Sequence, residues 1–125
     1  MRQQAYLTKG VRLIIRDERI AESHREYNFY FEGGVASYVR HLNHNKQSIF
    51  DMPISVEKDT ANGSVALALA YTTDFNEHVY TFANNILTID GGTHLTGFRT
   101  AITRAINDFG KKSGLLKDSE GSLTG

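Results

Sequence analysis

The stretch DGGTHLTGFRTAITRAINDFGKK, residues 90–112, holds the clearest structural signal in the chain. Its apolar side chains recur every three or four residues, the spacing that places side chains on one face of an α-helix. The members of this face are Leu95, Phe98, Ala101, Ile102, Ala105, Ile106 and Phe109. The spacing predicts a helix from about Thr93 to Lys112.

The residues just before this helix, Asp90 to Thr93, admit two interpretations. Gly91 and Gly92 allow positive φ and a sharp turn, and Thr93 is a suitable N-cap whose hydroxyl would meet a free amide of the first turn. A helix N-terminus also attracts anions, so a phosphate site is the alternative. The residues alone favour a tight strand-to-helix connection.

Upstream of this turn, strand and helix patterns follow one another. The predicted elements are the last turn of a helix at 3–8, strands at 11–16 and 27–31, a helix at 35–45, and strands at 54–58, 64–71 and 77–83. The first two strands are expected to pair antiparallel, and Asn62 with Gly63 is a turn signal because both tolerate positive φ. One face of the strand at 64–71 is all alanine, which predicts a closely packed helix over it. The pattern indicates an α+β fold with helices on one face of a sheet.

Composition and motifs exclude several classes of protein. The chain has 125 residues, no cysteine, and 14 basic side chains balancing 14 acidic ones. Thiol catalysis and thiolate metal sites are therefore excluded, and the neutral balance argues against a strongly basic nucleic-acid binder. No apolar run approaches a membrane span, so we expect a cytoplasmic protein with no membrane segment. No P-loop, dinucleotide fingerprint or nucleophile elbow occurs, so no catalytic, nucleotide-binding or metal residue is assigned.

Two polar pairs have a structural and a functional interpretation each. His41 and His44 are three residues apart on the second predicted helix, where a solvated face is favoured over a metal pair because no third ligand is near. Asn84 and Asn85 follow a predicted strand. They are expected to satisfy loop backbone groups or adopt left-handed φ, and contact with another domain is the alternative.

The last helix carries four basic side chains: Arg99, Arg104, Lys111 and Lys112. Arg104 and Lys111 share a stripe opposite the apolar side, Arg99 lies on its shoulder, and Lys112 is near the apolar boundary. An ordinary solvated face is the favoured interpretation. The alternative is a cationic surface that contacts phosphates without reading sequence and weakens with salt.

Three segments carry a resemblance that periodicity does not supply. YTFANNILTIDGGTHLTGFRTAITRAINDFGKKSGLLK (80–117) resembles the transducer region of the B subunit of DNA gyrase, the ATP-hydrolysing half of a bacterial type IIA topoisomerase. AYLTKGVRLIIRDER (5–19) resembles the family's passage from the ATPase domain into the transducer, and FYFEGGVASYVRHLNHNK (29–46) resembles its turn into the next helix. The similar topoisomerase IV subunit fits less well.

This resemblance implies a fold and a domain plan. The fold would be a mixed β-sheet with helices packed on one face, like that of a small-subunit ribosomal protein, with a left-handed β-α-β crossover. The chain would be a single domain, truncated at both ends relative to the family. Residues 1–9 would end the linker helix from the ATPase domain, residues 10–113 would form the transducer core, and residues 114–125 would be a polar tail.

The implied function is mechanical. The segment would couple ATP binding and hydrolysis to clamp closure and DNA strand passage, which produces negative supercoiling, and alone it would have no catalysis. The nucleotide pocket and a Gln-Thr-Lys loop of the family are not in this sequence, so ATP and Mg²⁺ would be cofactors of the parent protein and not of this segment. The implied partners are DNA, the ATPase domain of the same polypeptide, a second gyrase B protein and the gyrase A protein.

On this resemblance Arg99, Arg104, Lys111 and Lys112 are the candidates for DNA-facing charge. Gly91, Gly92 and Thr93 would form a rigid joint that fixes the last helix, because slack there would dissipate a transmitted displacement. An RNA- or ribosome-binding module of the same fold is the alternative function, since a fold alone does not determine function.

Overall fold

The computed structural model describes residues 1–20, 23–117 and 121–124. They divide into two compact units, Met1–Glu77 and His78–Gly125. Among the described residues no helix combines the length and apolar character that a membrane crossing requires.

The described residues of the first unit form two helices and two hairpins. Its elements are α1 (Arg2–Leu7), β1 (Leu13–Asp17), β2 (Arg25–Phe29), α2 (Gly34–Leu42), β3 (Ile54–Thr60) and β4 (Gly63–Leu69). β1 pairs with β2 antiparallel, with Leu13 opposite Phe29, as the alternating patterns predicted. β3 pairs with β4 antiparallel, with Ile54 opposite Leu69.

The turn between β3 and β4 differs from its prediction by one position. Thr60 and Gly63 are the last paired residues, so the two turn residues are Ala61 and Asn62. Gly63 does adopt positive φ, at 142°, but it is the first residue of β4, and Asn62 does not share that conformation. The positive φ of this glycine is therefore needed at the start of β4 and not at the centre of the turn.

An aromatic cluster forms the core of the first unit. The Tyr6 ring on α1 stacks on Phe31 with centroids 3.6 Å apart, and it also stacks on Tyr38 and His41 of α2 at 5.2 and 5.6 Å. Tyr6 is only 5% exposed, and Ala5 beside it is fully buried. Burial raises the pKa of the Tyr6 hydroxyl, and the nearby Arg2 charge partly opposes that rise.

Helix α2 also packs against β4, the strand over which a helix was predicted. Val65 and Ala66, which lie on opposite faces of β4, both line a cleft with Tyr6 and Val35. A salt bridge of 2.9 Å joins Lys9, after α1, to Glu57 of β3. The two helices and the second hairpin of this unit are thereby held together.

In the second unit, the part of the chain that the structure describes forms one short hairpin and one long helix. β5 (Phe82–Ala83) pairs with β6 (Ile86–Leu87) antiparallel, and α3 spans Thr93–Lys112 as the apolar spacing predicted. The strand predicted over 77–83 is wrong for most of its length, because only its last two residues are in a strand. β6 was not predicted, since two residues are too few for an alternating pattern.

Asn84 and Asn85 connect β5 to β6 and adopt φ of 48° and 64°. The prediction that they accept left-handed φ is confirmed. Two consecutive residues with positive φ make the hairpin turn whose twist matches antiparallel strands. Thr81 and Thr88 close the hairpin, since the Thr88 N–H donates to the Thr81 carbonyl at 2.8 Å.

The α+β class is confirmed, but the strand pairing differs from a single mixed sheet. The described strands form three two-stranded antiparallel sheets, each made by neighbours in sequence. Short turns specify such local pairs, whereas a mixed sheet needs pairs distant in sequence that no local pattern encodes. β2 and β3, which flank α2, lie in different sheets, so the described pairing contains no β-α-β crossover between them.

Candidate functional site

The approach to α3 is a turn whose backbone conformation favours glycine. Gly91 adopts φ of 76°, and Gly92 adopts φ of 146° with ψ of 178°. A Cβ on Gly91 would lie 2.9 Å from Cδ2 of Leu95, and one on Gly92 would lie 2.9 Å from the His94 ring. Both dihedral angles and space therefore disfavour larger residues at this turn.

The predicted capping role of Thr93 is wrong. The N-cap of α3 is Gly92, and no side chain makes a capping hydrogen bond. Because Gly92 supplies the non-helical conformation that an N-cap needs, Thr93 is already the first helical residue. The first turn is closed instead by the backbone, with the Leu95 N–H donating to the Gly92 carbonyl at 3.0 Å.

The hairpin and the helix are tied together around this turn. The Gly91 N–H donates to the Thr88 carbonyl at 3.1 Å, and the Thr88 hydroxyl lies 3.4 Å from Nε2 of His94. The first bond closes the turn before the glycine pair, and the second spans the pair and links the end of β6 to the first turn of α3.

All four basic candidates are exposed on α3, but they do not form one stripe. Arg104 and Lys111 are seven residues apart, which is close to two full turns, so they share a face about 10 Å apart along the axis. Five residues separate Arg99 from Arg104, which places it on another face, and Lys112 is turned about 100° from Lys111. The structure thus brings together Arg104 and Lys111 only.

Arg104 and Lys111 have different electrostatic surroundings. Arg104 lies 3.8 Å from Asp108, and both side chains are largely exposed, so this ion pair contributes little and can exchange for a phosphate. Lys111 and Lys112 are in the last turn of α3, where positive charge is favourable beside the helix C-terminus. The lysines therefore also have a local structural role.

Arg104 borders an open concavity of about 520 Å³ along α3. The remaining lining residues are small or polar: Thr96, Gly97, Thr100, Ala101, Ala105 and Asp108. The Thr100 hydroxyl donates to the Thr96 carbonyl at 3.0 Å, so its hydrogen is already used. A phosphate at this surface would depend on the Arg104 guanidinium for charged donors.

The two histidines of α2 have different surroundings. The His41 ring is half-buried between Tyr6 and His44, so the predicted solvated position is wrong for His41, whereas His44 is exposed. Nδ1 of His44 is 2.7 Å from the His41 carbonyl. Within residues 1–20, 23–117 and 121–124 no group of three or more His, Cys, Asp or Glu side chains is arranged to hold a metal ion.

The sequence interpretation missed Asn107, which contacts the backbone of Leu123 at two points. Asparagine is a poor helix former, and its position in the middle of an otherwise favourable helix was the available signal.

The chain matches the family model described as DNA gyrase B over residues 34–125. It is 45% identical to the B subunit of DNA gyrase from Bacillus mycoides over 125 residues, all of this chain and 30% of that protein. It is 47% identical to the corresponding gyrase protein of Clostridium acetobutylicum, again over all of this chain but only 19% of that protein. The chain therefore spans between about a fifth and a third of these relatives.

Two solved structures of gyrase B proteins are also similar to this chain. The 43K ATPase domain of Thermus thermophilus gyrase B, crystallised with an aminocoumarin, is similar with a TM-score of 0.83 and 35% identity, over 93% of this chain and 31% of that one. The gyrase B protein of Myxococcus xanthus shares the fold with a TM-score of 0.75 at 24% identity, over 90% of this chain and 31% of that one.

Proposed function

The chain belongs to the DNA gyrase B family, and we propose that it is a transducer segment of an ATP-dependent type II DNA topoisomerase. In that role it couples ATP binding and hydrolysis to closure of a clamp and to passage of one DNA duplex through another, which introduces negative supercoils. The observation that carries the proposal is similarity to gyrase B proteins along the whole chain.

The segment does no chemistry itself, and ATP and Mg²⁺ belong to other parts of the parent protein. The division is supported by length, because the chain spans only 31% of the Thermus thermophilus ATPase domain that it resembles. Its partners are DNA, the ATPase domain of the same polypeptide, a second gyrase B protein and the gyrase A protein. The parent protein acts in the cytoplasm. No observation favours the RNA-binding alternative, and the neutral charge balance opposes it.

The restrained turn before α3 suits transmission of a displacement. Gly91, Gly92 and Thr93 form the joint, and the Thr88 hydroxyl, 3.4 Å from Nε2 of His94, links the end of β6 to the first turn of α3 across it. The helix has 20 residues and is therefore about 30 Å long, so a small rotation at the joint becomes a large movement at its far end. A loose joint would lose that movement.

The exposed surface of α3 supplies the DNA-facing charge. Arg104 and Lys111 contact phosphates from one face, and Arg99 and Lys112 contribute from the flanks. The contacts set affinity and position without reading base sequence, because guanidinium and ammonium groups here meet only the sugar-phosphate backbone.

The function is tested with the complete gyrase B protein that contains this chain, assembled with a gyrase A protein. We expect ATP-dependent negative supercoiling of relaxed plasmid DNA. Decatenation or relaxation without supercoiling would instead identify a topoisomerase IV, and a lack of any ATP-dependent change in DNA topology would contradict the proposal.

The joint is tested in the same assembly by Gly92→Ala, with Gly97→Ala as the matched control. A Cβ at Gly97 meets no atom within 4 Å, whereas one at Gly92 meets the His94 ring. We expect Gly92→Ala to retain ATP binding but to supercoil several-fold less DNA for each ATP hydrolysed. Equal coupling in the two variants would show that the turn is not a joint.

A further inference from the structure

The segment after α3 folds back onto the helix. The Leu115 N–H donates to the Gly110 carbonyl at 2.9 Å, the Gly114 N–H donates to the Lys111 carbonyl at 3.2 Å, and Gly114 has φ of 71°. These are the two hydrogen bonds and the left-handed residue of a Schellman motif, which ends a helix and reverses the chain. Leu116 then lies over Gly110, where an added Cβ would be 2.6 Å from Cδ1 of Leu116.

Further along the chain, Leu123 meets the side chain of Asn107. Nδ2 of Asn107 donates to the Leu123 carbonyl at 3.0 Å, and Oδ1 accepts from the Leu123 N–H at 2.8 Å. Nδ2 also donates to the Thr103 carbonyl at 2.9 Å. Both amide hydrogens and the amide oxygen are therefore in use, and this pattern fixes the orientation of the amide, since the reverse would point the oxygen at two carbonyls.

We propose that Asn107 forms a docking site on α3 for the backbone of a single residue, and that its occupant is Leu123, within the segment Gly121–Thr124 of this chain. An amide side chain that pairs with both the N–H and the carbonyl of one residue imitates a strand partner, so it recognises backbone and not side chain. The Leu123 side chain is 50% exposed, which agrees with recognition through the backbone.

The burial pattern of α3 agrees with this site. Asn107 is less exposed than Ile106 and Asp108, Thr103 one turn earlier is half-buried like Ile102 beside it, and Gly110 is buried beneath Leu116. The apolar residues Ala105 and Phe109 in the same stretch remain exposed. After Ile102, the less exposed residues of α3 are therefore those that contact the returning chain or lie one turn from it. Docked in this way, residues 121–124 move with α3 as one body, a consequence that does not rest on the proposed function.

The test measures backbone order of residues Ser122 and Thr124 by ¹⁵N relaxation in the 125-residue chain. In the unchanged chain both amides should show heteronuclear NOE values close to those of α3. Asn107→Leu removes all three hydrogen bonds of the amide, of which two join it to Leu123. The net strength of those two bonds corresponds to a roughly tenfold fall in the ratio of docked to undocked chains. Asn107→Asp keeps the acceptor but replaces the donor with a carboxylate oxygen that faces the Thr103 and Leu123 carbonyls, so it should release Ser122 and Thr124 at least as fully as Asn107→Leu.

Changes at Leu123 separate backbone recognition from burial of its side chain. Leu123→Ala keeps the backbone N–H and should remain docked, whereas Leu123→Pro lacks that N–H and should release Ser122 and Thr124. Both variants lie outside α3, so they remain informative if Asn107→Leu also disturbs the helix. Thr100→Ala is the control, because it removes a similar side-chain bond to the preceding turn without contact to the docked segment.

Three outcomes would overturn the proposal. Ser122 and Thr124 could already be disordered in the unchanged chain, Asn107→Leu could leave their order unaltered, or Leu123→Ala could release them as fully as Leu123→Pro. The last result would assign the contact to the leucine side chain.

Discussion

Helices α1 and α3 show opposite relations between sequence signal and burial. α1 has six residues and a weak pattern, yet its Tyr6 is the most enclosed large side chain described. α3 has 20 residues and the strongest pattern in the chain, yet Phe109 on its apolar face is 66% exposed and Ile106 is 41% exposed. Periodicity specifies that a helix forms, whereas burial depends on what the neighbouring elements provide.

The two helices also differ in how much they contribute to stability. The aromatic contacts of Tyr6 hold α1 and α2 together and contribute stability to the first unit. The exposed faces of α3 contribute little to stability and remain available to partners. Substitutions in the two helices should therefore differ in which property they change.

The largest expected effect is that of Tyr6→Ala. The substitution leaves a cavity among Phe31, Tyr38 and His41, so the free energy of unfolding of the first unit should fall by about 3–5 kcal/mol. The control Phe109→Ala, on the exposed face of α3, should cost less than about 1 kcal/mol. Urea denaturation followed by circular dichroism measures both. Equal losses of unfolding free energy in the two variants would show that α1 and α3 do not differ in their contribution to stability.

Local features of the fold follow from the sequence because they depend on residues close together. The apolar spacing of α3 gave both of its ends, and Asn84 with Asn85 gave a left-handed turn. The pairings of β1 with β2 and of β3 with β4 follow from alternation and short connections.

Features that depend on distant residues did not follow. His41 is enclosed because Tyr6, 35 positions earlier, stacks on it, and no local pattern reports that contact. The two-residue strand β6 is too short to show an alternating pattern. The prediction that Thr93 caps α3 was wrong because Gly92, one residue earlier, is the N-cap. For the candidate site, charge positions were readable, but the docking of Leu123 on Asn107 was not, since it joins residues 16 positions apart.

The second prediction concerns the start of α3. Gly92→Ala should lower the free energy of unfolding of the second unit by about 1–3 kcal/mol, because φ of 146° with ψ of 178° is open to glycine almost alone. Gly97→Ala should raise it by about 0.5–1 kcal/mol, because alanine is the better residue inside a helix and has room there. Thermal denaturation of the two variants gives the comparison. If the free energy of unfolding changed in the same direction in both variants, the inference that the turn at Gly92 requires glycine would be wrong.

The third prediction uses pH to separate the helices. Burial raises the pKa of Tyr6 in the folded chain, so the stability linked to its neutral hydroxyl is fully present below pH 10, the ordinary tyrosine value, and is lost as pH rises through the higher folded value. Denaturation midpoints should therefore decline in alkaline solution, and less steeply in Tyr6→Phe. Part of the decline should persist in that variant, because a hydrogen bond to Glu32 also raises the pKa of Tyr30. Superimposable profiles of the two proteins would exclude Tyr6 as the cause.

The smallest effect on stability is expected for Arg104→Ala, and it tests whether α3 acts through its surface. Arg104 is 81% exposed and only weakly paired with Asp108, so its removal should change the free energy of unfolding by less than about 0.5 kcal/mol. If its guanidinium contacts a phosphate, the dependence of log K on log salt for a short DNA duplex should become shallower by about 0.9. Arg16→Ala on β1 is the matched control, since Arg16 is exposed and paired with Glu26, and it should leave that slope unchanged. A shallower slope for Arg16→Ala but not for Arg104→Ala would move the DNA contact from α3 to the first hairpin, because only a lost phosphate contact lowers the number of counterions released.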